Sequence, residues 1–193
     1  AILGILDPAD VCEFPKPFPT CGGRAIIVGH GATQTLDPGT YGDVLVEGGG
    51  AGVGTLILNG GGQYVFCSLR VSRYAKLSVK KASEIDVKGD LAFSNLSTVG
   101  PAPGSGLAVR DVRLLVNGAR LRFARKATVH GKVCAPNGSL FMNDGATLDG
   151  CALAKRIRTD RVTVKGTCVL APSSTTTSTT VTTTSTPPTT STT

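Results

Sequence analysis

A short motif returns seven times along this chain: an aliphatic residue, a polar residue, then Gly. It reads Val46-Glu47-Gly48, Leu58-Asn59-Gly60, Val87-Lys88-Gly89, Val116-Asn117-Gly118, Val129-His130-Gly131, Leu148-Asp149-Gly150 and Val164-Lys165-Gly166. Residues ahead of the glycines alternate with period two, as in Val44-x-Val46, Leu56-x-Leu58, Ile85-x-Val87 and Val162-x-Val164. That is the pattern of a half-buried strand. Each Gly then supplies a corner that backbone carrying a Cβ takes less readily. A longer self-similarity supports the same reading. Residues 120–138 align with residues 139–157 at a shift of 19. Leu121 meets Leu140, Phe123 meets Met142, Ala127-Thr128 meets Ala146-Thr147, and Gly131 meets Gly150. Self-similarity at a short period marks a solenoid.

Short strands joined by glycine corners predict a single-stranded parallel β-helix, with right-handed coiling as the usual sense for parallel crossovers. Composition agrees. The aromatic share is 5%, with no Trp, so small and aliphatic side chains must fill a narrow interior. Three Glu and one Met argue against a helical bundle, which draws on strong helix formers. The motif glycines are unevenly spaced, so either turns differ in length or the glycines mark different corners. Residues 97–106, with Gly100-Pro101-Ala102-Pro103-Gly104, read as a loop thrown out of one turn. The rival fold is an antiparallel sandwich with hairpins at Gly60-Gly61-Gly62 and Asn117-Gly118.

Three regions follow from composition. Residues 1–40 form an N-terminal cap or docking segment, apolar at its start and rich in proline through Phe14-Pro15-Lys16-Pro17-Phe18-Pro19. Residues 41–171 form the solenoid, and residues 172–193 a low-complexity tail. The first residue is Ala1, as expected of a chain whose signal peptide has been removed. No run of about 18 apolar residues exists to span a membrane. Secretion to an extracellular or cell-surface location also suits six cysteines, Cys12, Cys21, Cys67, Cys134, Cys151 and Cys168. No Cys-x-x-Cys pair occurs, so disulfides are the expected use. Cys12–Cys21 would close the proline-rich loop. Cys151–Cys168 could face each other on adjacent turns, which leaves Cys67–Cys134; six cysteines allow 15 connectivities, and several buried free thiols are the alternative.

The chain resembles secreted bacterial β-solenoid proteins of poorly known function. The matching stretches are Gly39-Thr40-Tyr41-Gly42-Asp43-Val44, Tyr64-Val65-Phe66-Cys67-Ser68-Leu69-Arg70 and Lys132-Val133-Cys134-Ala135-Pro136-Asn137. The resemblance covers most of residues 39–168, a region followed in that family by Thr/Ser-rich tracts. The chain is also loosely similar to bactofilins, polymer-forming β-helices, in fold only. Neither resemblance supplies catalytic residues.

Three functional readings remain. The first is a structural subunit of an extracellular filament or surface coat. The tail, with 18 Ser or Thr in its last 21 residues, reads as an O-glycosylated stalk. Candidate positions are Ser173, Ser174, Thr175, Thr176, Thr177, Ser178, Thr179, Thr180, Thr182, Thr183, Thr184, Ser185, Thr186, Thr189, Thr190, Ser191, Thr192 and Thr193. Fully extended, the tail would reach about 70 Å. The apolar start, with Ala1, Ile2, Leu3, Ile5 and Leu6, would pack on its own first turn or cap the open end of a second copy. Repeated head to tail, that contact builds an open filament.

The second reading is a surface adhesin for acidic polysaccharide. The net charge is +7, and cations crowd two stretches. Arg120, Arg122, Arg125 and Lys126 lie in one, Arg156 and Arg158 in the other, and stacked turns would merge them into a basic stripe. Nucleic acid is not expected, because Phe123 is the only aromatic nearby. The third reading, a polysaccharide-active enzyme, needs clustered carboxylates. Here Asp86 and Asp90 flank one motif, Asp43 and Glu47 flank one strand, and no cluster forms. His30 and His130 have no nucleophile or ligand set beside them. No catalytic residue, cofactor or metal is therefore expected.

Overall fold

A computed structural model gives the three-dimensional structure. It describes residue 12, residues 17–166 and the backbone of residues 169–170. The chain winds as a β-solenoid of about six turns, and each turn contributes a short strand to each of three faces. The first coil holds β1 (Ile26–Val28), β2 (Thr33–Leu36) and β3 (Gly39–Thr40). The second holds β4 (Asp43–Val46), a small hairpin of β5 (Gly48–Gly49) and β6 (Gly52–Val53), then β7 (Thr55–Leu58) and β8 (Gly62–Phe66). Next come β9 (Ser68–Val71), β10 (Lys76–Val79) and β11 (Ser83–Val87), then β12 (Leu91–Phe93), β13 (Thr98–Pro101) and β14 (Val112–Val116). The coils close with β15 (Arg120–Phe123), β16 (Thr128–Met142), β17 (Thr147–Thr159), β18 (Thr163–Lys165) and β19 (Val169–Leu170). The long strands β16 and β17 run unbroken round two corners.

Every coil-to-coil pairing is parallel, and the β5–β6 hairpin is the one antiparallel pair among the described residues. Face one stacks Ile26, Val44, Leu69, Leu91, Leu121, Leu140 and Ile157 in register. Face two stacks Thr33, Thr55, Lys76, Thr98, Thr128, Thr147 and Thr163. Face three stacks Gly39, Tyr64, Ile85, Leu114, Val133, Ala152 and Val169. A turn therefore takes from 16 residues, Thr147 to Thr163, to 30, Thr98 to Thr128. The longest turn carries the loop expected near residues 97–106. It begins later than expected, because residues 98–101 are β13, and it ends in a 3-10 turn at Val109–Asp111. The ladder also starts earlier than the expected boundary at residue 41, since Ile26-Ile27-Val28 already alternates and pairs with β4.

Inward side chains of successive coils lie on one another. Leu56, Leu77, Val99, Val129 and Leu148 form one fully buried column, and Phe93 stacks on Phe123 with centroids 5.3 Å apart. Tyr64 is buried as well, and its hydroxyl donates to the Gly60 carbonyl at 2.9 Å while accepting from the Gly60 N–H at 3.0 Å.

Two kinds of corner close the coils. At the turn from face three to face one, a Cβ on Gly118 would collide with the Gly89 carbonyl, and one on Gly138 would meet the Gly118 carbonyl at 2.5 Å. From face two to face three, Gly150 meets the Gly131 carbonyl and Gly166 the Gly150 carbonyl in the same way. The motif glycines thus mark different corners, which accounts for their uneven spacing. Gly60 and Gly118, where the sandwich alternative placed hairpins, stand at coil corners, since the strands on either side of each belong to parallel ladders on different faces.

The corner from face one to face two is a different device. Ala75, Ser97, Ala127 and Ala146 each donate their N–H three residues back, to the carbonyls of Ser72, Ser94, Ala124 and Asn143. The residue before each, Tyr74, Leu96, Lys126 or Gly145, has φ between 57° and 69°. Each of these left-handed residues also donates its N–H to the next coil, as Leu96 does to the Arg125 carbonyl at 3.1 Å.

These corners predict opposite responses to substitution. Gly118→Ala should lower stability by about 2 kcal/mol, because a backbone carbonyl cannot move aside like a side chain. Gly50→Ala, with nothing within 4 Å, should be nearly neutral. Leu96→Gly should raise stability by about 0.5–1 kcal/mol, since it removes the left-handed penalty of a residue with a Cβ. Urea-unfolding midpoints check all three.

Candidate interaction surfaces

Each outward column is set by strand parity and by register. On face one, residues between the inward positions make the column Ile27, Leu45, Arg70, Ala92, Arg122, Phe141 and Arg158. Beside it, Arg120, Ser139 and Arg156 stack in register. Arg70, Arg120, Arg122, Arg156 and Arg158 are all exposed. None of the five makes an ion pair among the described residues. The Arg158 guanidinium lies 5.9 Å from the Phe141 ring centroid. Asp90 stands at the edge of this face and takes the Arg120 backbone N–H at 3.2 Å.

The basic stripe expected from sequence therefore forms in part, with three changes of membership. Arg120, Arg122, Arg156 and Arg158 come together. Arg125 and Lys126 lie in the turn beyond the strand, where Arg125 pairs with Asp144 at 3.5 Å and Lys126 takes the left-handed corner. Arg70 joins from far upstream in sequence, carried into the column by two register steps. The aromatic on the face is Phe141; Phe123 points inward and is fully buried.

Face three differs. In its outward column Val65, Asp86, Leu115 and Cys134 are buried, although such positions on a bare solenoid would meet water. Cys134 in this column is bonded to Cys12, with Cα atoms 5.8 Å apart, and Cys67 to Cys21 at 4.9 Å. These bonds replace the expected Cys12–Cys21 and Cys67–Cys134 pairs. Coiling brings Cys67 and Cys134 to separate turns, so each is met by a cysteine from ahead of the first coil. Each bond closes a long loop, of 46 and 122 residues, and constrains the unfolded chain accordingly. The expected stabilisation is about 4–5 kcal/mol each. Cys151 is buried on the same face. Its expected partner Cys168 lies outside the described residues, as do Ala1, Ile2, Leu3, Ile5, Leu6 and the tail from Ser173 to Thr193.

Among the described residues Asp86 is the one carboxylate with no exposure. Its Oδ2 accepts from Gln63 Nε2 at 2.6 Å, and its Oδ1 has no hydrogen-bond partner among the described residues. Burial pushes its pKa up to about 6; the Gln63 bond and nearby Arg113 pull it down, while Glu84 adds to the rise. Glu84 itself pairs with Arg113 at 2.9 Å, and Asp111 accepts the Ala108 N–H at 2.8 Å in the adjoining shallow cleft. Asp90 lies one corner away from Asp86, beside face one, so the two acids do not converge. His130 Nδ1 contacts Asp149 Oδ2 at 3.0 Å, while Cys134, four residues on, is committed to its disulfide. No group of three metal-ligating side chains occurs among the described residues, and no described helix is long and apolar enough to cross a membrane.

In the last described coil, β18 is exposed throughout. Val164 sits at the inward position beneath Val129 and Leu148, yet keeps 38% of its surface in contact with solvent.

No known protein family, curated protein or solved structure matches this chain.

The buried acid gives a pH prediction. Because the folded-state pKa lies above the ordinary carboxylate value of 3.8, the unfolded chain releases the proton first as pH rises. The fold must then lose stability between about pH 4 and pH 6 and stay lower above that window. Asp86→Asn keeps an acceptor for Gln63 and carries no charge. It should flatten this window and stabilise the fold at pH 8 by roughly 1–3 kcal/mol. Thermal midpoints at pH 4 and pH 8 check it, and parallel profiles for the two proteins would contradict the assignment.

Proposed function

We propose that this protein is a structural subunit of an extracellular filament or surface coat, in which copies stack head to tail through the ends of their solenoids. The observation that supports the reading is the last coil. Val164 occupies a core position and is left open, and among the described residues β18 pairs with β17 alone, so its other edge is of the kind that templates further pairing. The occupant that best fits this end is the first coil of a second copy. Its β2 lies in the same column as β18, so the face-two ladder would continue from Thr163 of one copy to Thr33 of the next. Gln34 would then cover Val164, and the repeated contact, heterologous and directed along the solenoid axis, would build an open filament.

On this reading the Ser/Thr tail carries O-linked glycans that sheathe the polymer, and the apolar N-terminal residues reinforce each joint. The fold suits the role, because a ladder of parallel strands is stiff along its axis and grows by adding like to like.

Electron microscopy and sedimentation velocity test the proposal. The native protein at micromolar concentration should sediment as polymers and appear as filaments of solenoid width. Val164→Asp places a charge at the joint and should leave single subunits with an unchanged β-sheet circular dichroism spectrum. A native protein that stays monodisperse under these conditions would refute the reading.

A further inference from the structure

The cations of this molecule are neutralised unevenly. On face three Arg113 is paired with Glu84, and at the turns Arg125 and Arg161 share Asp144. Face one keeps five exposed arginines whose side chains make no ion pair among the described residues, against two acids at its edge, Asp43 and Asp90, which accept from Ser68 and from the Arg120 backbone N–H. Uncompensated cations on one side of a small domain are self-repulsive and raise the local concentration of polyanions.

Their spacing is regular. Arg70, Arg122 and Arg158 occupy every second rung of one outward column, with Ala92 and Phe141 between them. Two rungs of a β-ladder make about 9.5 Å. Arg120 and Arg156 repeat the same two-rung interval one column over, about 7 Å away along the strand. The guanidinium forks thus present a line of sites suited to carboxylate or sulfate, which they bind bidentately. Between two of them lies the flat ring of Phe141, an apolar platform the size of a sugar ring. A two-rung interval is also the length of one disaccharide unit in an extended glycan.

We propose that face one is a binding site for an acidic polysaccharide that carries one anionic group per disaccharide, laid along the solenoid axis. Arg70, Arg122 and Arg158 each hold one anionic group, Arg120 and Arg156 flank the chain, and the sugar between Arg122 and Arg158 rests on Phe141. The proposal is independent of end-to-end stacking, because the face lies along the coils and not at their ends. A single-stranded nucleic acid fits less well. It calls for successive aromatic platforms, and this face offers one ring, already overlaid in part by Arg158.

Calorimetric titration with a hyaluronan decasaccharide, an alternating uronate–aminosugar polymer, tests it. Binding should weaken as sodium chloride is raised. Arg122→Ala and Arg158→Ala should each cost about fivefold in affinity, as exposed charge contacts do. Phe141→Ala should weaken binding without altering the salt dependence. A variant with Lys76, Lys80 and Lys81 all changed to Ala loses three positive charges away from this face and should bind as the native protein does. Unchanged affinity in the arginine variants, or no binding of the decasaccharide, would overturn the site. Tighter binding of polygalacturonate, charged on every sugar, would overturn the spacing argument. Tighter binding of an oligothymidylate would assign the face to nucleic acid instead.

Discussion

Contact between backbone and backbone at the corners is the constraint on which the rest of this structure depends. Coils can pair at the spacing of a β-ladder only if their corners also approach to that distance. At the corners into faces three and one the carbonyl of one coil occupies the place where a Cβ of the next would stand, as Gly89 does for Gly118 and Gly131 does for Gly150. At the corner into face two, a left-handed residue turns its N–H toward the coil above, and a buried Ala or Ser follows it inward. With the corners settled, parity decides the remainder. Each strand residue points either into a column of Leu, Val and Phe or out onto a column shared with every other coil.

That division explains which parts of the fold were legible in sequence. The glycine corners leave a letter behind, and period-two alternation marks the strands that precede them. The solenoid is therefore readable. The left-handed corners are not, because Tyr74, Leu96, Lys126 and Arg161 fill positions where Gly145 shows the expected residue. For Tyr74, Leu96 and Lys126 the signature is the residue after the turn, small and buried, and one residue long; after Arg161 the half-buried Val162 takes that place. The disulfides were equally hidden. A pairing argument from short loops favours Cys12–Cys21, whereas coiling makes sequence distance a poor guide to spatial distance. Cys12 reaches Cys134 across 122 residues.

The basic face shows how register, rather than local composition, assembles a surface. Arg125 and Lys126 are three and four residues from Arg122 yet belong to a turn. Arg70 is far from Arg122 in sequence yet shares its column. Phe123 and Phe141 illustrate the same point by parity. Phe123 lies beside Arg122 in sequence yet is part of the core, whereas Phe141, with no arginine near it in sequence, is part of the face. Without turn lengths, which range from 16 to 30 residues, neither membership can be worked out from the chain alone.

The three faces are consequently free to differ while sharing one core. Face two is lined with Thr, whose β-branched side chains suit cross-strand contact on a pleated surface. Face three buries an outward column that includes an acid, and is tied by Cys12 and Cys21 to the residues ahead of the first coil. That acid is costly to keep ionised where it lies, and its position follows from parity: Asp86 points outward, as a polar residue should, on a face that happens to be covered. Face one is left open and charged. A polymer of such subunits would carry its arginine columns in line from copy to copy only if the joint preserved register. The face-two ladder, in which Thr33 can follow Thr163, is the element that would impose it. In this molecule the same register that builds the core would therefore fix the spacing of charge along an assembly.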